Sequence, residues 1–526
     1  MWLRICALRP QPYTLPLAMA SQPTDHQSLE AVRADRSFFG HPRGLATLFF
    51  TEMWERFCYY GMRALLILFM TASVANGGLG FPVAKAGAIY GLYTAMVYLL
   101  SLPGGWVADR ITGQRRAVLY GGILIAIGEF CLMAPGTNVF YLGLVIMVLG
   151  TGLLKPNVST IVGQIYAPGD NRRDSGFSIF YMGINLGALL SPLACGWVAQ
   201  KAGWRLGFGL AAVCMVAGVL QYVWGSKYLG TAGLHPAAVE DPAKDRRQKR
   251  QFGFSALGVL AVLAAAGGMA AAGAIQLTAQ TVSNALGVAL TVVTVSIFSW
   301  LLLGKSWSPI ERKRSAAILV LFLSAAVFWS AFEQAGSSLN LFAERNTDRH
   351  VALLAPVIGS QFPASWFQSV QPFFIVVLAP VFAWIWLRMG RREPSSPAKF
   401  ALGLLTAGLG FAILIPPARA AMGGALVSPW WLVGTYLFHT IGELCLSPVG
   451  LSAMTKLAPE RLAGMMMGLW FVTIGIGDYL GGRVASLYES VALPTLFAYV
   501  AGVAFVATVA LVILIKPTVR LMSGVK

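Results

Sequence analysis

Fourteen apolar runs, each long enough to cross a lipid bilayer, dominate this chain of 526 residues. A helical crossing needs about 20 mostly apolar residues. The runs lie at about 45–74, 84–108, 117–135, 138–165, 175–200, 204–229, 253–274, 283–304, 315–342, 361–388, 398–416, 429–457, 461–486 and 491–516. Hydrocarbon offers backbone groups no hydrogen bonds, so such runs fold as helices. Hydrophobic residues make up 57% of the chain and charged residues 11%, against about 25% charged in a soluble globular protein. An ordinary soluble enzyme and a disordered chain are both excluded.

Fourteen crossings put both ends of the chain on one side. On that basis 29 of the 39 Lys and Arg residues fall on the side of the termini, seven fall opposite, and Arg56, Arg63 and Lys155 lie inside spans. Basic residues collect on the cytoplasmic side of membrane proteins, so the bias supports both the span count and cytoplasmic termini. It also accounts for the net charge of +18 without nucleic acid, which would ask for one basic soluble face. Residues 1–42 read as a disordered cytoplasmic tail, in which Met19 is a second possible start. Five of the six cysteines lie in apolar runs and no CxxC occurs, so they read as small buried hydrophobes with no metal site.

Residues 251–304 contain no Asp, Glu, Lys, Arg or His and are flanked by basic clusters. They read as two lipid-facing helices, at about 253–274 and 283–304, inserted with basic linkers over 231–313. Six spans remain on each side, in 43–230 and 314–526. The loop after span two reads Gly104-x4-Asp109-Arg110-x2-Gly113-x-Arg115-Arg116, and the matching loop of the second half reads Arg388-Met389-Gly390-Arg391-Arg392. Two six-helix bundles with matching basic loops are the pattern of the major facilitator fold, an all-α membrane architecture with its site at mid-membrane between the halves.

A charge in the bilayer core costs roughly 2.5–3.5 kcal/mol or more, so each intramembrane charge asks for a reason. Span one carries Glu52, Glu55, Arg56, Tyr59, Tyr60 and Arg63. At about 100° per residue these share one face. Lys155 in span four is a lone ammonium, for which Glu52 or Glu55 is the expected partner. Glu333 in span nine and Glu443 in span twelve are the acidic groups of their helix cores. Cations in the first half thus face anions in the second, a polarity suited to a ligand with a carboxylate at one end and an ammonium at the other. Glu129 and Asp478 read as structural or interfacial. His439, one turn before Glu443, reads equally as a proton shuttle or a packed histidine.

Five segments together resemble one family. They are Glu52-x2-Glu55-Arg56-Phe57-x-Tyr59-Tyr60-Gly61, Gly150-Thr151-Gly152-x2-Lys155-Pro156-Asn157, Phe180-Tyr181-x2-Ile184-Asn185-x-Gly187, Phe328-Trp329-x3-Glu333-Gln334 and Gly442-Glu443-Leu444-x2-Ser447-Pro448. The chain resembles the proton-dependent oligopeptide transporters over about residues 44–516, and the uncharged pair resembles the extra helices of bacterial members. The resemblance implies proton coupling through Glu52, Glu55, Arg56, Lys155 and Glu333, and a gating salt bridge between Arg63 and Glu333. It implies peptide binding by Arg63, Tyr60, Tyr98, Lys155, Asn185, Trp329, Gln371, Glu443, Ser447 and Trp470. Arg63 and Lys155 would attract the peptide carboxylate and Glu443 the ammonium. One position departs: Gln371 stands where the family usually has asparagine, so its amide reaches one methylene further. The histidine of animal members in span two is missing.

The expected activity is proton-coupled symport of di- and tripeptides across a bacterial inner membrane. The proton is the coupling ion, no cofactor is needed, membrane lipid surrounds the chain, and a monomer suffices. The rivals are transport of another small solute, such as nitrate or an organic anion, and a membrane protein that only binds peptide. No HExxH, GxSxG or nucleophile–base pair within a span points to an enzyme.

Overall fold

The computed structural model describes residues 28–524 apart from 237–240, 352–355, 357–358 and 460–461. Among the described residues there are fourteen long helices, at the places where the apolar runs fall. The first half holds α1 (Arg43–Thr71), α2 (Val83–Leu99, continued by Ser101–Val107), α3 (Gln114–Met133), α4 (Thr137–Gln164), α5 (Arg172–Ala202) and α6 (Trp204–Gly225). The inserted pair is α7 (Pro242–Ala271) and α8 (Ala279–Leu303). The second half holds α9 (Pro309–Phe332), α10 (Val370–Met389), α11 (Ser396–Ala412), α12 (Trp430–Leu457), α13 (Ala463–Ala485) and α14 (Leu493–Leu521). Eleven helical stretches among the described residues are long and apolar enough to span a membrane; α1 is long enough but carries its charges in mid-helix.

Each half packs as its own bundle, and α2 against α13 and α5 against α10 join the two. Helices approach closely where small residues remove the side-chain barrier. A Cβ at Gly187 of α5 would lie 2.3 Å from the Met53 carbonyl oxygen of α1, and one at Gly482 of α13 would lie 2.5 Å from the Cα of Gly91 on α2. Among the described residues, the hydrogen bonds that cross between halves lie from mid-membrane to the side away from the basic loops, here the far side. They include Asn340 Nδ2 to the Ala64 carbonyl (2.8 Å), Trp366 Nε1 to Leu193 (3.0 Å), Ser369 Oγ to Leu189 (2.7 Å) and Gln200 Nε2 to Gln361 (2.7 Å). The halves are therefore clamped on the far side.

Three sequence expectations change. Span nine is broken: α9 stops at Phe332, a 3-10 turn covers Glu333–Gly336, and a short helix resumes over Ser338–Asn346. The run at 315–342 hides this, because the break needs no polar stretch. The basic linker before α7 is helical from Pro242, with Asp245 bridging Arg110 (3.6 Å) and Lys249 (2.9 Å). The tail expected to be disordered is ordered from Ser28. A short helix, Leu29–Ala34, is tied to the basic-side ends of α4, where Arg33 donates to the Gln164 carbonyl at 3.2 Å, and α5. Arg172 donates to the carbonyl oxygens of Arg33 (2.7 Å) and Asp35 (3.2 Å), and His41 Nδ1 meets the Tyr166 hydroxyl at 2.9 Å. Hydrogen bonds from Arg172 hold the Asp170 carboxyl down at about 2. Residues 1–27 of that expected tail lie outside the described residues.

Candidate functional site

The charged face of α1 points inward. Glu52, Glu55, Arg56 and Arg63 are each under 5% exposed, and such charges persist only with partners. Arg56 pairs through Nε with Glu55 and through Nη2 with its second oxygen at 2.5 Å, and Glu52 lies 3.3 Å from the same Nε. The other Glu52 oxygen has no hydrogen-bond partner. Two carboxyls therefore share one guanidinium, and one oxygen is left over to hold a proton.

Two turns along, Arg63 donates from Nη2 to the Glu333 carboxylate and from Nε to the Tyr90 hydroxyl at 2.5 Å. This is the Arg63–Glu333 bridge the sequence suggests, and it ties α1 to the broken turn after α9. Gly336 in that turn leaves the space: a Cβ there would sit 1.9 Å from the Tyr90 hydroxyl and 2.9 Å from Arg63 Nε.

Lys155 differs from expectation. Among the described residues it forms no ion pair with Glu52 or Glu55. Its Nζ lies 3.7 Å above the Tyr98 ring, where the π face replaces part of the lost hydration. Pro156 follows it and cannot donate to the carbonyl four residues back, while Asn157 Nδ2 donates to the Leu153 carbonyl at 2.7 Å. The helix is thus loosened beside the lysine.

A cavity of about 140 Å³ lies at mid-membrane between the halves. Of the residues named from the sequence, Tyr60, Arg63, Tyr98, Asn185, Trp329, Glu333, Gln371 and Glu443 line it. Lys155, Ser447 and Trp470 do not. Lys155 is held back behind Tyr98. Trp470 is 3% exposed and fills the gap at Gly450, where a Cβ would lie 2.1 Å from its ring, so it packs α13 against α12. Tyr181, Gln368, Phe332, Tyr436 and His439 line the cavity without having been assigned that role. Tyr181 stands in the Phe180–Gly187 segment, four residues before Asn185, whose amide donates to its carbonyl at 3.0 Å. His439 is packed between Phe332 and Phe411, and neither ring nitrogen has a partner.

Glu443 closes the second-half wall. Its carboxylate accepts from Gln371 Nε2 at 2.6 Å. The extra methylene of Gln371 lets its amide fold back onto the carboxylate. The cavity thus carries a carboxyl group on the second-half wall and a guanidinium on the first. Arg63 and Glu333 line it, and Tyr181, in the basic-side half of α5, is 45% exposed. Asp478 is not interfacial: it is 1% exposed, and neither carboxyl oxygen has a partner.

Comparison with known proteins agrees with this geometry. A family model described as PTR2, POT family, matches residues 115–498. The peptide transporter YePEPT of Yersinia enterocolitica is 41% identical over 93% of this chain and 97% of its own length. A di-/tripeptide transporter of Lactococcus lactis subsp. cremoris is 36% identical over 94% of this chain and 99% of its own length. A crystal structure of a peptide transporter POT in complex with sulfate superposes with a TM-score of 0.88 at 42% identity, over 95% of this chain and 100% of that one.

Proposed function

This chain belongs to the POT family, and from that premise we propose that it carries di- and tripeptides into the cell together with protons, by alternating access. It is a multi-pass membrane transporter of the major facilitator fold and not an enzyme. The observation that carries the substrate class is the polarity of the cavity. Glu443 on one wall takes the peptide ammonium; Arg63 on the other, with Lys155 behind Tyr98, takes the carboxylate. Asn185 and the rings of Tyr60, Tyr98 and Trp329 meet what lies between. Only the two ends and the backbone are common to all peptides, so fixing the ends leaves side chains free to vary. One chain supplies both walls, so a monomer suffices.

The basic side is the cytoplasm of a bacterial cell and the termini lie there; the conformation described is then open inward. The proton acts through differential stability of two states. Protonating Glu333 removes the charge that holds Arg63 and releases the far-side clamp. Glu52 and Glu55 hold the coupling proton beside Arg56, and Lys155 is the cation free to replace Arg56 as their partner.

Dialanine uptake into proteoliposomes with an inward proton gradient tests the reading. Accumulation above equilibrium, abolished by a protonophore, is expected. Binding without gradient-driven accumulation would reduce the chain to an exchanger or a receptor.

Gln371 gives a specificity prediction. Gln371→Asn withdraws the donor from Glu443, worth about 1 kcal/mol for a typical hydrogen bond and more for a charged one. The freed carboxylate binds the dipeptide ammonium more tightly, so the half-saturating dialanine concentration falls about fivefold. Competition uptake with dialanine and trialanine measures it; unchanged values for both would remove Gln371 from specificity.

A further inference from the structure

Asp478 on α13 has no place in the cavity, and close backbone packing fixes where it sits. On one side α13 presses against α9: a Cβ at Gly477 would lie 2.3 Å from the Trp329 Cβ, and one at Gly481 3.3 Å from the Ser330 carbonyl oxygen. On the other side the Asp478 carbonyl lies 3.1 Å from where a Gly91 Cβ on α2 would stand. The residue is therefore in the seam between α2 and α9, at the level of Trp329 and of Tyr90 to Thr94. Glu333 is one turn beyond Trp329.

The titratable groups facing it come from three helices and the broken turn. They are Tyr59 and Arg63 from α1, Tyr90 and Tyr98 from α2, Lys155 from α4 and Glu333 after α9. Asp478 interacts electrostatically with Glu333, Arg63 and Lys155. No cation reaches it: Arg63 is engaged by Glu333 and Tyr90, and Lys155 lies on Tyr98. The neighbouring polar group is the neutral Thr94 hydroxyl, which itself donates to the Tyr90 carbonyl at 2.9 Å. A carboxylate buried without a cation is strongly disfavoured. In this conformation Asp478 is accordingly a carboxylic acid. Two carboxyls thus lie within the electrostatic reach of one guanidinium, and only Glu333 touches it.

We propose that Asp478 is a second proton-binding site of the gate, protonated while Arg63 pairs with Glu333 and ionised to receive Arg63 when Glu333 takes a proton. The exchange balances: one proton is bound at Glu333, one is released from Asp478, and Arg63 keeps a single anionic partner throughout. Opening the clamp then does not strand a buried arginine, because its next partner is already in place. The inference rests on the proton-driven transport proposed above.

The test compares the unchanged protein with Asp478→Asn, which keeps the shape of the protonated acid and cannot ionise. In proteoliposomes the ratio of gradient-driven dialanine uptake to counterflow exchange is expected to fall at least tenfold, with a flattened pH profile. A ratio and pH profile matching the unchanged protein would overturn the proposal and leave Asp478 a packing residue. An unchanged protein that itself fails to accumulate peptide would instead overturn the transport reading. Asp478→Ser is read in the same way if the asparagine variant does not fold. A second measurement leaves Asp478 in place. With carbon-13-labelled aspartate, the infrared band of a buried carboxylic acid is expected at neutral pH and should disappear in Glu333→Gln; a band that persists there overturns the exchange.

Discussion

Replacing Glu443 by glutamine is expected to lower the kcat/KM of dialanine uptake by about thirtyfold or more, since unpairing a desolvated charge costs about 2–5 kcal/mol. The substitution changes little in shape. The amide still packs beside Gln371, whose Nε2 sits 2.6 Å from the carboxylate, so the loss isolates charge from volume. Substrate chemistry supplies the control. N-acetyl-dialanine lacks the ammonium and is expected to be a poor substrate of the unchanged protein. Glu443→Gln should then treat free and acetylated peptides alike. A variant that still prefers the free amine, with unchanged half-saturation, would take the ammonium away from Glu443.

The second large effect is expected at the clamp. Glu333→Gln removes from Arg63 the anion that holds the clamp closed and leaves Arg63 to turn to Asp478. Breaking one partner of a buried pair costs about 3–5 kcal/mol. That is enough to move the ratio of far-side-open to far-side-closed molecules by more than about a hundredfold. Spin labels at Val74→Cys and Leu426→Cys, both exposed at the far side, read the change in a background cleared of native cysteines. The distance between them should lengthen by several ångströms. The sign of the pH effect follows from the same charge. On the proposed coupling the clamp opens when the charge of Glu333 is removed, so the unchanged protein is expected to open on the far side as pH falls, and Glu333→Gln to be open at every pH. A distance in the variant that still follows pH would place the controlling proton elsewhere.

The sequence makes the architecture legible because each crossing announces itself by length and apolarity, independent of neighbours. The bridge between Arg63 and Glu333 was legible for a related reason: two buried charges of opposite sign need each other. What stayed hidden depends on geometry across helices. Nothing in the run 315–342 shows that α9 breaks after Phe332, because Gly336 serves Arg63 and Tyr90, far away in the chain. Lys155 looked bound to find a carboxylate, yet Arg56 already holds both, and the ring of Tyr98 takes the ammonium. Gln371 looked like a reach into the cavity, and its extra methylene instead brings it back to Glu443. Trp470 looked like a pocket wall and fills a notch at Gly450.

The inserted pair has a mechanical consequence. α8 rests on α2 of the first half and on α9 and α13 of the second, with Tyr479 against Gly287 and Arg483 donating to Asn284 at 2.8 Å. α7 is secured at its basic end, where Trp106 stacks on Phe252 at 4.3 Å and Asp245 holds Arg110, while its hydrophobic length faces outward. When the two bundles rock, the joint between α2 and α13 shears, and acyl chains are the nearest material to enter it. A helix laid along that joint, with its partner fixed at one end, would act as a gasket between the moving bundles and the surrounding lipid.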